Sequence, residues 1–421
     1  MWMLPALRWG ERFPAPDRVV GCGPVNDGAE GQVAAAGTGA ATAGAASTTQ
    51  PEPLLPDFGG ACLDGVVPTL LAQLHGPGAE LPAWAPVLLA DARQIVLLVI
   101  DGLGAVQLRE RAALAPVLSS GTGGALTSVA PSTTACALTT LATGKVPAEH
   151  GVVGYRVALD GDVMNVLQWS IGGRDVRMRV PAHEFQPFPS FPGASGTVPV
   201  VTRHDYGPTG FTAAHLGHVD LHRWHTAAGL VTAVRRLTAE GSPFVYAYYE
   251  GIDKVAHAQG LGEYYDDELR AADRLVGDVL DVLPPGAVLV VTADHGQVEV
   301  GGSVEVFGPE IMDDLTLISG EGRFRWLHVR EGAAADMAQA AGARYGDIAW
   351  VRTKEQVIDD GWLGGVPRPA VAARLGDVAL VPFTPTAFLD PADTGELRLQ
   401  ARHGSLTTDE MLVPLLAWTA S

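Results

Sequence analysis

The sequence predicts an α/β fold with a mostly parallel central sheet flanked by helices on both faces, and three observations carry that expectation. Gln94-Ile95-Val96-Leu97-Leu98-Val99-Ile100 is a continuous apolar run rich in β-branched residues, ending in Asp101-Gly102. An unbroken apolar run of this length is what a strand buried on both faces requires. The pattern returns in Pro243-Phe244-Val245-Tyr246-Ala247-Tyr248-Tyr249, which leads to Glu250-Gly251-Ile252-Asp253, and in Ala287-Val288-Leu289-Val290-Val291-Thr292, which leads to Ala293-Asp294-His295-Gly296. Between these two runs, Leu269, Ala272, Leu275, Val276, Val279, Leu280 and Leu283 fall at helical spacing until Pro284-Pro285 stops them. Three strands thus each deliver an acidic residue at the C-terminal end. That is the sheet edge where open α/β folds bind ligands.

Taken in order, the chain begins with a stretch that does not read as fold. Residues 30–52 are rich in Ala, Gly, Thr and Ser, so residues 1–52 are expected to be a flexible leader ahead of a catalytic domain at 53–421. The apolar run of Met1-Trp2-Met3-Leu4-Pro5-Ala6-Leu7 is too short and too interrupted for a signal sequence. Val66 to Gln73 predicts a short helix, and Gly104 to Leu118 predicts another after the first strand. Pro131-Ser132-Thr133-Thr134 precedes an apolar helical run, which makes Thr134 a candidate N-cap and also places it where an anion is favoured. Residues 156–225, rich in Gly, Pro and aromatics, and residues 301–400, with short apolar runs between turns, break the α/β rhythm. Both are expected to be insertions over the sheet edge, leaving a core of about 60–155, 226–300 and 401–421.

Composition narrows the function. With 421 residues, 47% hydrophobic and 18% charged, the chain is globular and long enough for a large core. A net charge of -19 argues against nucleic-acid polymers, whose binding rests on phosphate neutralisation. It leaves room for a small phosphate-containing substrate, because bound divalent cations reverse the sign locally. Cys22, Cys62 and Cys136 form no pairing framework and no zinc-finger spacing, which fits a reducing, cytoplasmic setting. No run of ~18 uncharged apolar residues predicts a membrane span. The sequence says nothing of the oligomeric state.

The candidate chemistry lies in scattered residues. Asp253 and His257, four apart, share one helix face, and Asp294-His295 is an adjacent pair on a turn after a strand. His403 adds an imidazole before Gly404, and Thr134 adds a hydroxyl. Singly each has a plain structural explanation: a helix-surface ion pair for Asp253 and His257, a cap for Thr134. Together they supply the N and O ligands that zinc favours, and two such ions ~4 Å apart can clamp a phosphoryl group. His150, in the Glu149-His150-Gly151 turn, reads as structural. His215, His218, His222 and His225 fall at i, i+3, i+7 and i+10, a spacing that on a helix aligns several of them. Only Asp220 joins them, so a lid over the site is the better reading, with Arg203, His204 and Arg223 as candidate substrate contacts. Thr143-Gly144-Lys145 lacks the glycine spacing of a P-loop.

The ordered set resembles the alkaline phosphatase superfamily, and within it the type I phosphodiesterase/nucleotide pyrophosphatase family. The matching residues are Asp101-Gly102, the P-S-x-T element Pro131-Ser132-Thr133-Thr134, then Gly144, Pro147, His150-Gly151, Asp253-x-x-x-His257, Asp294-His295-Gly296 and His403-Gly404. They span about three-quarters of the chain. The resemblance implies an alkaline phosphatase-like fold and two divalent ions, with zinc expected. One ion would take Asp101, Thr134, Asp294 and His295, and the other Asp253, His257 and His403. It further implies that Thr134 attacks phosphorus to form a phospho-threonine, which water then hydrolyses. The superfamily's alternatives are phosphonoacetate-type C–P hydrolysis and phosphomonoester hydrolysis; a non-catalytic binding protein on the same scaffold would lack a ligand position. The C/S-x-P-x-R motif of sulfatases is absent, Cys136 notwithstanding. One position departs from the family: Ala137 stands where nucleotide pyrophosphatases carry an Asn that donates to a phosphate oxygen. Either another residue donates there or the substrate differs.

Overall fold

The computed structural model describes residues 50–421 apart from Pro77, Ala79, Pro208, Thr394, Glu396 and Leu397, so nearly all of the expected leader lies outside the described residues. The expected boundary at residue 53 is slightly late. Trp350 Nε1 already donates to the Pro51 carbonyl at 2.6 Å and Gln50 Nε2 to the Gly346 carbonyl at 2.6 Å.

Seven strands form the central sheet: β1 (Ile95–Ile100), β2 (Thr122–Thr127), β3 (Pro199–Arg203), β4 (Asp220–Trp224), β5 (Phe244–Tyr249), β6 (Val288–Thr292) and β7 (Leu412–Thr419). Their spatial order is β2-β7-β6-β1-β5-β3-β4. β1 runs parallel to both β5 and β6, and β3 parallel to β5 and β4. β7 runs antiparallel between β6 and β2. The predicted mostly parallel sheet is therefore present. Every residue of β1 and of β6 is buried, which is why both read as unbroken apolar runs.

Register brings the acidic residues together. Ile100 pairs with Tyr249 and Val99 with Thr292, so the chain leaves β1, β5 and β6 at one level. β7 enters the sheet at that same edge, because its first residue, Leu412, pairs with Thr127 at the end of β2. The loops carrying Asp101, Asp294 and His403, the start of the helix carrying Asp253 and the approach to Thr134 therefore share one rim.

Helices flank the sheet. Four bear on the site: α1 (Leu63–His75), α2 (Thr134–Thr143), α3 (Gly251–Gln259) and α4 (Glu263–Leu280). α1 is the predicted Val66–Gln73 helix, longer at both ends. α4 buries Leu269, Ala272, Leu275, Val276 and Val279, the stripe its spacing predicts. α2 ends at Gly144, whose φ of +63 puts it in the left-handed region where a Cβ would also sit 2.7 Å from Pro68 Cγ.

Three expectations are corrected. The predicted helix from Gly104 to Leu118 is broken into Ala105–Glu110, a single 3-10 turn at Ala112–Leu114, and Pro116–Ser119. Pro116 has no N–H to continue the ladder, and its ring excludes the preceding helical turn. The stretch 156–225 is not all insertion, because β3 and β4 belong to the central sheet and the core resumes near residue 199. β4, Asp-Leu-His-Arg-Trp, is a half-exposed edge strand, so it lacks the apolar run that marks β1. And the segment holding the four histidines is mixed, a helix at Gly210–His215 followed by β4, so helical spacing does not align them. Besides a two-stranded pairing of Val304–Glu305 with Ala387–Phe388, the remaining insertions carry two four-stranded sheets among the described residues. One is a four-stranded antiparallel meander over residues 156–175, and the other is four-stranded, with strands between Leu315 and Pro382.

Candidate active site

Asp101 is the first residue past β1 and is 3% exposed. Gly102 follows in the left-handed region at φ +73, turning its N–H toward Asp294 Oδ1 at 3.1 Å. Asp294 Oδ1 also accepts from the His295 N–H at 3.1 Å. The other oxygens of this pair, Asp101 Oδ1 and Asp294 Oδ2, are buried with no hydrogen-bond partner among the described residues. They face the same atom: His295 Nε2 lies 3.4 Å from Asp101 Oδ1 and 3.5 Å from Asp294 Oδ2. Thr134 Oγ1 joins it at 3.1 Å.

The protonation of His295 follows from its other nitrogen. Nδ1 is 3.0 Å from the Gly296 carbonyl, which can only accept, so Nδ1 carries a proton and in the neutral ring Nε2 presents a lone pair. The other two site histidines are fixed in the same sense. His257 Nδ1 donates to the Ala401 carbonyl at 2.8 Å and His403 Nδ1 to the Ser132 carbonyl at 3.0 Å. Their Nε2 atoms both point at Asp253 Oδ1, 3.2 Å and 3.7 Å away. Backbone carbonyls that hold the distal N–H of an imidazole are the usual partners of a metal-ligating histidine.

Two groups of lone-pair donors thus form, Asp101 with Asp294 and His295, and Asp253 with His257 and His403, with the ligand atoms of each group within 4.8 Å of one another. Six of the seven sequence-predicted ligand positions fall into these groups, and the seventh, Thr134, lies against the first. Within each group the carboxylate oxygens and imidazole Nε2 atoms converge, an arrangement that could hold a metal ion. The donor set of carboxylate oxygens and imidazole nitrogens suits zinc or another divalent ion. The electrostatics agree. Burial, with the Asp294 and Asp253 carboxylates nearby, pushes Asp101 well above the usual carboxylate range. Burial and the neighbouring rings of His295 and His257 push His403 well below the usual histidine range. The His295 and His403 rings stack at 3.5 Å, so the two groups adjoin.

Local structure delivers each side chain. Asp253 and His257 sit on consecutive turns of α3. Arg402, just before His403, pairs in a short antiparallel ladder with Val298, just after the Asp294–Gln297 turn. Thr134 is the first residue of α2, while Thr133 takes the extended N-cap conformation, so the cap falls one residue earlier than the sequence suggests. α2 is ten residues long and points its unsatisfied N–H groups toward the site.

A family model for type I phosphodiesterase / nucleotide pyrophosphatase matches residues 95–406. The chain belongs to that family. It is accordingly a hydrolase of phosphoester bonds, and the family's members are metal-dependent. A search of curated protein sequences finds no match. Among solved structures, the fold is similar to murine ectonucleotide pyrophosphatase/phosphodiesterase 5, at 15% identity and a TM-score of 0.58 over 76% of this chain and 87% of that one. An inactive threonine-to-alanine variant of the murine protein, in complex with AMP, aligns at 14% identity and a TM-score of 0.56 over 76% of this chain and 87% of that one. Phosphonoacetate hydrolase from Sinorhizobium meliloti, in complex with phosphonoformate, aligns at 21% identity and a TM-score of 0.56 over 79% of this chain and 90% of that one.

Two site residues of this family member escaped the sequence reading. Tyr248 donates its hydroxyl to Asp101 Oδ2, and Gln297 Nε2 donates to Asp253 Oδ1 at 2.7 Å. Alternation in the β5 run places Tyr246 and Tyr248 on one face and was the available signal for the first; Gln297 carried none. His150 stands outside both groups, its Nδ1 accepting the Val152 N–H and its Nε2 donating to Thr140 Oγ1, each at 3.0 Å. The other candidates are engaged elsewhere. Arg203 pairs with Glu250 at 2.6 Å and Asp205 at 2.9 Å, His204 with Asp205 at 2.9 Å, and His222 with Asp220 at 2.9 Å. The His225 ring lies tilted against His204 at 4.1 Å, and Arg223 packs against Gly207. His218 holds a left-handed backbone. Among the described residues no helix is long and apolar enough to cross a membrane.

Proposed function

We propose that the chain hydrolyses phosphodiester or pyrophosphate bonds in small molecules, with Thr134 as the nucleophile. The observation that carries this is the placement of Thr134 Oγ1, 3.1 Å from His295 Nε2 and at the N-terminus of α2. Asp101, Thr134, Asp294 and His295 would hold one divalent ion and Asp253, His257 and His403 a second, with zinc the expected metal. Bound there, two such ions lower the pKa of a coordinated hydroxyl and neutralise charge on the phosphoryl oxygens.

The chain's own residues supply the rest. The first turn of α2 offers backbone N–H groups to a phosphoryl oxygen beside Thr134, a role the side chain at Ala137 cannot fill. Attack by Thr134 Oγ1 forms its bond to phosphorus as the bond to the leaving oxygen breaks, and the hydroxyl proton passes to solvent. The phospho-threonine is then opened by water, which restores the hydroxyl and releases the phosphate monoester. Tyr248 and Gln297 hold the Asp101 and Asp253 carboxylates in place throughout. The inactivity of the threonine-to-alanine murine variant supports a threonine in this role. A panel of aryl phosphate monoesters and diesters, assayed with added zinc, tests the reading. It requires turnover of diesters above monoesters, and turnover of neither would remove it.

A further inference from the structure

One opening of the site leads away over the second ligand group. A cavity of about 370 Å³ is lined by Thr134, Asp253, His257 and His403. It runs on into a groove of about 900 Å³ between the two inserted four-stranded sheets, and Asn165, Gln168 and Asp393 line both. Each volume falls within the ~300–1,000 Å³ that encloses a small molecule, so the route has room for half of a substrate.

The position of Thr134 identifies which half. An in-line displacement puts the attacking and leaving oxygens on opposite sides of phosphorus, and a two-centre site serves one oxygen at each centre. Thr134 Oγ1 lies 3.1 Å from His295 of the first group. The leaving oxygen therefore belongs beside Asp253, His257 and His403, where the route begins.

Hydrogen bonding and charge define what the route accepts. Asn165 Oδ1 accepts the Gln168 N–H at 2.9 Å, and Gln168 Oε1 accepts from Ser170 Oγ at 3.4 Å. A backbone N–H only donates, so the Asn165 amide is fixed with Nδ2 as its remaining donor. Asn165 Nδ2 and Gln168 Nε2 have no hydrogen-bond partner among the described residues. Two neutral donors thus line the junction.

Beside them one guanidinium serves two carboxylates, because Arg156 contacts Asp390 and lies 3.5 Å from Asp393. In the inner cavity Arg323 is matched by Glu410, and in the outer groove Asp162 is matched by Arg179 at 3.4 Å. Neither Glu410 nor Arg179 lines the route. Beyond the ligand group, three carboxylates, Glu321, Asp390 and Asp393, then stand against two guanidiniums, Arg156 and Arg402, among the described residues. That balance gives no positive field to draw out a departing phosphate or pyrophosphate.

Resting on the phosphodiesterase reading above, we propose that the groove between the inserted sheets receives the leaving half of the substrate. This half is an alcohol without anionic groups, whose oxygens accept from Asn165 Nδ2 and Gln168 Nε2. The bond broken is then the P–O bond of a diester and not of a pyrophosphate. The alcohol oxygen keeps the bonding pair and takes a proton from solvent, while phosphorus stays on Thr134 until water opens that ester.

The test uses three aryl esters of thymidine 5′-phosphate, which share the half that is transferred. Their phenols are matched in acidity and carry a carboxylate, no charge or a trimethylammonium group. With zinc-loaded wild type, kcat/KM should be roughly tenfold lower for the carboxylate ester than for the neutral one, since like charges repel along the route. The trimethylammonium ester should be turned over at least as well as the neutral one. Gln168 is exposed, so Gln168→Arg adds a cation at the junction without disturbing the core. This variant should recover most of the loss on the carboxylate ester. Exchanging thymidine for methyl in the neutral ester should change kcat/KM by the same factor in wild type and Gln168→Arg, because that half does not enter the groove. Equal kcat/KM for all three esters, or a Gln168→Arg effect that follows the thymidine half instead of the phenol, would overturn the proposal and leave the phosphodiesterase reading standing. Should no ester be turned over, calorimetric titration of the zinc-loaded protein with the carboxylate and trimethylammonium esters decides the groove alone. Tighter binding of the cationic ester is expected, and equal Kd values would overturn the proposal.

Discussion

The Asp253 N–H donates to the Asp101 carbonyl at 3.1 Å. One backbone hydrogen bond thus ties the strand-end acid of the first ligand group to the helical acid of the second. The tie fixes the separation of the two groups through main chain, where side-chain motion cannot relax it. On the two-ion reading proposed above, two donor groups held this way would be preorganised for the pair.

Thr134→Ala should lower kcat on an aryl phosphodiester by roughly 10³-fold or more, since it removes the attacking atom. Thr134→Ser keeps a hydroxyl and should retain measurable turnover. The α2 helix should be unaffected in both, because Thr133 is the N-cap. Steady-state kinetics beside a far-ultraviolet circular dichroism spectrum checks this; equal activity of wild type and Thr134→Ala would remove the nucleophile assignment.

Chelation should destabilise the fold. Asp101 Oδ1 and Asp294 Oδ2 are buried with no hydrogen-bond partner among the described residues, and a metal ion held between them would relieve their repulsion. Adding zinc at a hundredfold excess over its Kd should stabilise the protein by ~2.7 kcal/mol per site, visible as a rise of several degrees in melting temperature. In His257→Ala, which takes one of three ligands from the second group, zinc bound per chain should fall from two to one by elemental analysis.

His150 gives a pH dependence of stability with a defined sign. Burial and the Arg374 and Arg368 charges lower its pKa in the folded state from 6.5 to about 3. The unfolded chain therefore binds the extra proton first, and the stabilising contribution is complete above pH ~6.5 and lost progressively toward pH ~3. The slope attributable to this one group is roughly 1.4 kcal/mol per pH unit in that window. Denaturant titrations of wild type and His150→Gln across pH 4–7 should differ by that slope, and parallel curves would show that the ring is not neutral in the fold.

Arg323 and Glu410 form a buried pair, 1% and 0% exposed, with contacts of 3.0 Å and 2.6 Å. Arg323 comes from an inserted hairpin, whereas Glu410 also accepts the Ser405 N–H at 3.0 Å, two residues from His403. The pair therefore fastens an insertion to the His403 loop. Removing one partner, as in Glu410→Gln, should cost about 3–5 kcal/mol because a buried charge is left unmatched. Replacing Arg323 with Met in the same chain should recover part of that loss, as urea denaturation would show.

Much of this was legible in the sequence, and the exceptions have physical causes. β1, β5 and β6 were readable because a strand buried on both faces must be continuously apolar, and the acids at their ends followed from chain order. β3 and β4 were not, because β4 lies at an edge and keeps polar residues. Six ligand positions and Thr134 could be named from the pattern, but their partners could not. The carbonyls of Ala401, Ser132 and Gly296 that orient three histidines carry no side-chain signature. Tyr246 did not stand out, and His215 did so only as one of four spaced histidines, since the cavity between β5 and the helix at Gly210–His215 exists only after folding.

Gly102 offers the sharpest test of how closely the site is built. Its φ is +73, and a Cβ there would lie 2.7 Å from Gln297 Nε2 and 3.0 Å from Asp253 Cβ. Gly161 has φ +83, and a Cβ there would meet nothing within 4 Å, so it shares the backbone strain without the crowding. Gly161→Ala should cost only the ~1 kcal/mol of a left-handed alanine. Gly102→Ala carries the same strain and must also displace Gln297 or shift α3, which moves Asp253 away from His257 and His403. Zinc affinity of the second group should therefore fall at least tenfold in Gly102→Ala and stay unchanged in Gly161→Ala, measured by competition with a chromophoric chelator. If both variants bind zinc as wild type does, the approach of Gly102 to Asp253 does not set the geometry of the metal groups.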